Sequence, residues 1–276
     1  MNTAEKFPSF DDNFPDLNQF ILELVEDYEM GKIKSWDDLE EKVNAYFTPP
    51  RMEQMESVVP GWQKMASYSG GITLVHVMCV FLGLFMLPEF QGLTPEKKQM
   101  AKWIILFHDI DKFHIRGKKD PMHAFRSGAL AANTLRRFSF PTTRKYPEMI
   151  NSWSEYTVQA FTVKDGDAAP TPDNRKLPVI LAGIDQLYGE NTPATLITKT
   201  VLLHISLPVD PFYHTPAPLT EAEIKHYIDP QLLPLLKVMM LSDNEGWSLF
   251  DPKTRARQRN DTLAAFEEVE TLTSKI

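Results

Sequence analysis

Residues 72–87 read ITLVHVMCVFLGLFML, an apolar run without acidic residues in which His76 is the one basic side chain. Its 16 residues fall short of the roughly 20 that a helix needs to cross a bilayer, and Pro88 follows it directly. The run therefore predicts a fully buried helix rather than a membrane span. Such a helix has to be covered on all sides by other segments.

Helix-start signals lie on both sides of this run. Ser35 followed by Asp38, and Thr220 followed by Glu223, resemble capping boxes, in which two side chains and two backbone N–H groups pair reciprocally. Thr94 is followed by a proline, which combines a capping side chain with a residue suited to the first helical turn. These signals predict three helices with defined beginnings.

The remaining segments also have helical rather than strand patterning. Apolar residues at helical spacing follow Pro15, and Asp120–Pro121 repeats the capping pattern. Further helices are predicted at about residues 147–163, 178–187, 194–206, 231–242 and 255–272, with loops at 164–178 and 208–218. No segment shows sustained period-two alternation bounded by turns, so we predict an all-α helical bundle.

The helix that begins after Thr94 has two distinct faces. Its apolar residues are expected to point inward and its lysines outward. The inward set is Met100, Trp103, Ile104, Phe107 and Ile110, and the outward set is Lys97, Lys98 and Lys102.

Composition limits the class of protein. The chain has 276 residues, of which 43% are hydrophobic and 24% charged, as in soluble globular domains. Its net charge of −8 argues against a general nucleic-acid-binding protein, whose surface would be basic. The single cysteine, Cys79, excludes an intrachain disulfide and a Cys-rich zinc module, and its apolar neighbours favour a core position. We expect an N-terminal helical extension over residues 1–60, separate or part of the same domain, and a main domain over residues 61–276.

Three apolar segments carry ionisable side chains that demand an explanation, because burying an unpaired charge is costly. They are His76, the pair His108–Asp109 and Asp243. Taken singly, each has an ordinary interpretation. A lone histidine is often a hydrogen-bonded core residue, and Asp243 lies where Asn244 and Gly246 predict a helix end. Taken together, imidazole and carboxylate groups are typical ligands of Zn²⁺, Mn²⁺ and Fe²⁺.

In chain order, a histidine, a His-Asp doublet and a distal aspartate on helices resemble the HD-domain superfamily of metal-dependent phosphohydrolases. The similarity spans about residues 70–250 and includes Phe107-His108-Asp109-Ile110-Asp111-Lys112 and Leu241-Ser242-Asp243-Asn244. The resemblance implies a helical bundle in which His76, His108, Asp109 and Asp243 bind one divalent metal ion.

Two more histidines lie where relatives with two metals place extra ligands. His123 opens a segment similar to the family's His-x-x-x-Ser-Ala, and His204 interrupts an apolar helix. The resemblance implies a second metal if both bind, while His123 is alternatively a phosphate contact and His204 a core histidine. The cofactor is expected to be Mn, Fe, Mg, Zn, Ni or Co, with one ion favoured over two.

Basic residues beside these ligands suggest an anionic substrate. Between Lys112 and Arg126 there are five basic residues and one acid. Lys112 and Arg126 each flank a ligand and are expected to bind phosphate with His123. Asp111 departs from many relatives, and it could act as a general acid or lie in solvent. With Lys112 and Asp109 it completes the expected catalytic set.

The resulting hypothesis is a cytoplasmic, metal-dependent phosphohydrolase acting on a nucleotide or another small phosphate ester. Two alternatives remain: a di-iron oxygenase of the same helical type that uses the same six ligands, and a nucleotide-binding protein without catalysis. The expected partner is a small phosphorylated molecule, with neither a membrane nor general nucleic acid. A homo-oligomer is compatible with the sequence.

Overall fold

A computed structural model describes residues 7–67, 71–112, 120, 122–143, 174–207 and 218–274. Over those residues the regular structure is helical and no strand occurs, which confirms the all-α prediction. The helices are α1 (Phe10–Asn13), α2 (Pro15–Glu29), α3 (Trp36–Tyr46), α4 (Pro49–Val58), α5 (Trp62–Ser67), α6 (Ile72–Met86), α7 (Pro88–Gln91), α8 (Pro95–His108), α9 (His123–Leu135), α10 (Leu177–Tyr188), α11 (Pro193–Leu203), α12 (Glu221–Tyr227), α13 (Leu232–Ser248) and α14 (Pro252–Thr273).

The capping signals at Ser35, Thr94 and Thr220 begin the helices that they were expected to begin. The N–H of Asp38 donates to Ser35 Oγ over 3.1 Å, and the N–H of Ser35 donates to Asp38 Oδ2 over 3.0 Å. Thr220 and Glu223 form the same reciprocal pair at the start of α12. Thr94 Oγ1 accepts from the third residue of α8. Each bond satisfies backbone donors that a helix leaves unpaired at its first turn.

Helix α6 is the centre of the bundle, as its apolar sequence predicts. Every residue from Leu74 to Leu84 is buried, and α13 packs along the helix while α2, α3, α5 and α8 cover other sides. The thiol of Cys79 is enclosed, and burial raises its pKa to about 12. Within the described residues, no helix combines the length and apolar composition required to span a membrane.

Glycine lets α6 and α13 approach each other closely. A Cβ atom on Gly246 would lie 2.7 Å from Val80 Cγ2 and 3.2 Å from the Val80 backbone nitrogen. The helix end expected near Asp243 is therefore wrong: Gly246 serves as a packing surface inside α13, which continues to Ser248. This contact brings the middle of α13, including Asp243, against α6.

The N-terminal helices cover α8, and the expectation that Lys102 is exposed on this helix is wrong. The inward residues of α8 are buried, but Lys102 is buried as well, not exposed. Its Nζ donates to Asp11 Oδ1 over 2.5 Å and to Asn18 Oδ1 over 2.9 Å. Apolar residues of α1–α4 belong to the same contiguous core as the later helices. The division near residue 60 stays a prediction.

The later helices start and end close to the predicted positions, with two exceptions besides α13. Helix α9 begins at His123 and not at Asp120, whose carboxylate pairs with Arg126 and accepts from the N–H of Met122. Helix α11 ends at Leu203, directly before His204. The predicted helix at 147–163 and most of the loops at 164–178 and 208–218 lie outside the described residues.

Candidate metal centre

Five helices bring the six predicted ligands into one buried site. His76 comes from the middle of α6 and Asp243 from the middle of α13, and His123 is the first residue of α9. The three others lie at helix C-termini: His108 ends α8, Asp109 follows it, and His204 follows α11. All are buried except Asp243, whose side chain is 21% exposed.

The six side chains form two groups of three. In each group the nearest nitrogen and oxygen atoms all lie within 4.8 Å of one another. The first group, which we call triad one, is His76, His108 and Asp243; the second, triad two, is Asp109, His123 and His204.

The Asp109 carboxylate lies between the two triads. Its Oδ1 is 3.3 Å from His123 Nε2, and its Oδ2 is 3.6 Å from His108 Nε2. The Asp109 carboxylate could therefore contact ions in both triads at once.

Three histidines are held by the same kind of hydrogen bond. The Nδ1 atoms of His108, His123 and His204 lie 2.8, 2.5 and 2.7 Å from the backbone oxygens of Ile105, Asp120 and Val201. A carbonyl oxygen can only accept, so each Nδ1 carries a proton, and the neutral form of such a ring has a bare Nε2. Such bonds orient histidines that ligate metals.

The bare nitrogens of triad two face each other. His123 Nε2 and His204 Nε2 are 3.3 Å apart. Burial lowers the pKa of His123 to about 3 and that of His204 to about 4, so neither ring gains a second proton near neutral pH. Two lone pairs at this distance repel unless a cation or a proton lies between them. The donor set fits a divalent ion that prefers nitrogen and oxygen ligands.

Triad one has two buried ring nitrogens that make no hydrogen bond among the described residues, His76 Nδ1 and His108 Nε2. His76 Nε2 lies 2.9 Å from Asp243 Oδ1, and because a carboxylate only accepts, this nitrogen carries a proton here. Buried polar atoms are usually paired, and an ion at this position would satisfy His108.

Lys112 supplies positive charge to the anionic centre. Its Nζ donates to Asp109 Oδ2 over 2.7 Å. Burial alone would raise the pKa of Asp109, but Lys112 and the surrounding histidines hold it well below the ordinary value. Burial opposes the charge of Lys112 as well, and the carboxylates of Asp109 and Asp243 nevertheless raise its pKa. The lysine side chain is 28% exposed, so it also reaches solvent.

Arg126 and Asp111 lie near the ligands but have other partners. The Arg126 guanidinium forms a buried ion pair with Asp120 and donates to the backbone oxygen of Asp111 over 2.8 Å. Asp111 Oδ1 accepts from Lys64 over 2.6 Å. Since Asp120 also holds His123, the Arg126–Asp120 pair fixes the segment that orients a ligand. The substrate contact expected of Arg126 and the catalytic role expected of Asp111 stay predictions.

Sequence reasoning missed the two tryptophans at this site. Trp247 stacks on His76 with ring centroids 3.9 Å apart, and Trp36 stacks on Trp247 at 5.9 Å. Trp247 lies four residues after Asp243 and therefore on the same face of α13, a spacing that could have drawn attention to it. Of the predicted basic segment between Lys112 and Arg126, residues 113–119 lie outside the described part of the chain.

Comparisons with known proteins leave the chain without an assigned relative. No protein-family model matches the sequence, and no curated protein or solved structure gives a significant match.

Proposed function

We propose that the chain is a metal-dependent phosphohydrolase that acts on a nucleotide or another small phosphate ester. The observation that carries this proposal is the facing pair of bare nitrogens, His123 Nε2 and His204 Nε2, 3.3 Å apart beside the buried Asp109 carboxylate. Two neutral imidazoles with bare Nε2 atoms, beside a carboxylate of lowered pKa, are suited to hold a cation.

Two ions rather than one are the form that we favour. Triad one and triad two each offer three donors, and Asp109 reaches toward both. The sequence alone favoured a single ion, and the completeness of triad two supports the second. A divalent ion bound here would supply a nucleophile from water near neutral pH and neutralise charge on phosphoryl oxygens.

Two side chains of the candidate site are accessible to a substrate. Asp243 and Lys112 are the partly exposed members of the cluster, so the opening of the site lies on their side. With a cation balancing Asp109, the Lys112 ammonium would be available to pair with a phosphoryl oxygen, and this charge-assisted bond would strengthen as negative charge develops. The other five ligands are buried, so bulk water has little access to them.

The proposal that the substrate is a phosphate ester rests on Lys112 and on the resemblance to HD-domain enzymes. The resemblance supports it by analogy. We propose a cytoplasmic enzyme. The di-iron oxygenase alternative uses the same six ligands, so the identity of the metal separates the two reactions.

The experiment is a metal and phosphatase assay on the purified full chain. We expect close to two equivalents of divalent metal by elemental analysis, and Mn²⁺-dependent release of p-nitrophenol from a phosphate monoester or diester. Asp109→Asn should abolish both, because it removes the charge shared by the two triads. His226→Gln, at an exposed histidine on α12, is the matched control and should change neither.

Two results would overturn the proposal. A folded wild-type protein that binds no divalent metal would remove its basis. Stoichiometric iron with oxygen consumption and without phosphate release would assign the site to oxidation instead.

A further inference from the structure

His76 differs from the other three histidines in how it is held. His108, His123 and His204 each donate Nδ1–H to a backbone oxygen one turn earlier. His76 Nδ1 is buried and makes no hydrogen bond to any group in the described part of the chain. An imidazole without this bond can rotate about its Cβ–Cγ bond, and this rotation would move Nε2 away from a ligand position.

The Trp247 ring lies flat against His76 instead. The two ring centroids are 3.9 Å apart and the planes differ by 17°. On its own helix, Trp247 lies one turn beyond Asp243, whose Oδ1 is 2.9 Å from His76 Nε2. The same turn of α13 therefore contacts His76 at the ring face and at the ring edge.

Trp247 is itself held by the N-terminal part of the chain. Trp36 is parallel to it within 6°, with centroids 5.9 Å apart, an offset-stacked arrangement. Trp36 is the first residue of α3, and the capping pair of Ser35 and Asp38 fixes the backbone beside it. Trp247 remains 49% exposed, so burial alone does not explain the position of its ring.

We propose that Trp247 is the positioning residue of His76 and that Trp36 holds Trp247. The stack of three rings fixes the plane of the His76 ring, as a backbone hydrogen bond does for the rings of His108, His123 and His204. This inference rests on the proposed function in taking His76 as a metal ligand. It also assigns a role to residues 1–60, which contribute to the site through Trp36.

The test compares variants that separate a flat ring from apolar bulk. Trp247→Phe keeps a ring that can stack, whereas Trp247→Leu keeps apolar volume without one. Tyr46→Leu is the matched control, because Tyr46 stacks on Phe20 at the same 3.9 Å within the N-terminal helices. Metal binding is measured by calorimetry with Mn²⁺ and with Co²⁺, whose absorption spectrum reports ligand geometry.

We expect Trp247→Leu to weaken binding of one metal equivalent by about 10-fold and to alter the Co²⁺ spectrum, as losses of groups that orient ligands do. Trp247→Phe should recover most of the affinity, and Tyr46→Leu should bind like the wild type. Unchanged binding in Trp247→Leu would overturn the proposal, and so would equal losses in the Leu and Phe variants.

A second measurement needs no metal and separates this inference from the proposed function. In the metal-free protein, the ring protons of His76 should resonate upfield of those of the other histidines because the indole lies over them. Trp247→Leu should remove this shift, and Trp36→Leu should reduce it. A His76 ring resonance at the ordinary position in the wild type would refute the stack, whether or not the protein binds metal. An upfield His76 resonance in a protein that binds no metal would refute the proposed function but not the stack.

Discussion

Replacing Lys112 by methionine should tighten metal binding while destabilising the metal-free protein. In the metal-free state the ammonium lies 2.7 Å from Asp109 Oδ2 and balances a carboxylate that is 1% exposed. Any cation that binds Asp109 must compete with this ammonium and is repelled by it. Methionine keeps the length and much of the volume of the side chain and removes the charge.

The magnitude follows from the geometry. Two opposite unit charges at about 4 Å are worth about 4 kcal/mol at an effective dielectric constant near 20. Lys112 is 28% exposed, so we take less than half of this, about 1.5 kcal/mol, which corresponds to roughly 10-fold tighter metal binding. Unpairing Asp109 should cost the metal-free fold about 2 kcal/mol, less than the roughly 3–5 kcal/mol of a fully buried pair.

The assay is thermal unfolding with and without Mn²⁺, combined with calorimetric titration. Lys112→Met should melt several degrees lower without metal and show a larger rise on adding it. Lys64→Met is the matched control, since Lys64 pairs with Asp111 over 2.6 Å outside the two triads. Unchanged or weaker metal affinity in Lys112→Met, at normal folding, would refute the competition between ammonium and metal.

Three further predictions concern pH, helix packing and the segment before α9. Without metal, stability should fall as pH drops from about 6.5 toward 4, because burial lowers the pKa of His204 to about 4 and the unfolded chain takes up the proton first. In urea unfolding between pH 7 and pH 5, the unfolding free energy of the wild type should fall by about 2 kcal/mol more than that of His204→Gln. A pH dependence of the variant identical to that of the wild type would contradict this. Gly246→Ala should cost about 1–3 kcal/mol in unfolding free energy and weaken metal binding, because its Cβ would meet Val80 at 2.7 Å. Gly92→Ala, with its nearest atom at 3.6 Å, should be almost neutral, and equal melting temperatures for the two variants would refute the packing argument. Arg126→Met should cost about 3 kcal/mol by breaking the buried ion pair with Asp120; normal stability with a raised KM for phosphate esters would assign Arg126 to the substrate.

Local signals in the sequence predicted the helices well. Capping pairs such as Ser35 with Asp38 act through residues three positions apart, so the sequence contains all the information that they need. The burial of the apolar run around His76 was also predictable, because its composition is a local property of the sequence. The early helix end expected near Asp243 failed because Gly246 looks like a terminator in sequence and acts as a packing surface in three dimensions.

The site was predictable as a set of residues but not as an arrangement. An ionisable side chain in an apolar helix is visible in sequence, which identified His76, Asp109 and Asp243. Their pairing depends on which helices meet, and no local pattern gives that. Lys102 looked like an exposed lysine on α8 because its covering partners, Asp11 and Asn18, come from another part of the chain. Trp247 escaped notice because its partners lie on α3 and α6.

The separation of His76 and Asp243 along the chain sets an order of assembly. Their contact joins residues 167 positions apart, and it closes a loop that contains the other ligands. During synthesis, triad two has all its residues once His204 has been made, whereas triad one waits for α13. Closing so long a loop costs more chain entropy than closing a short one. A nascent chain could thus hold one ion at triad two before the first triad exists, so the two triads differ in the time at which they form.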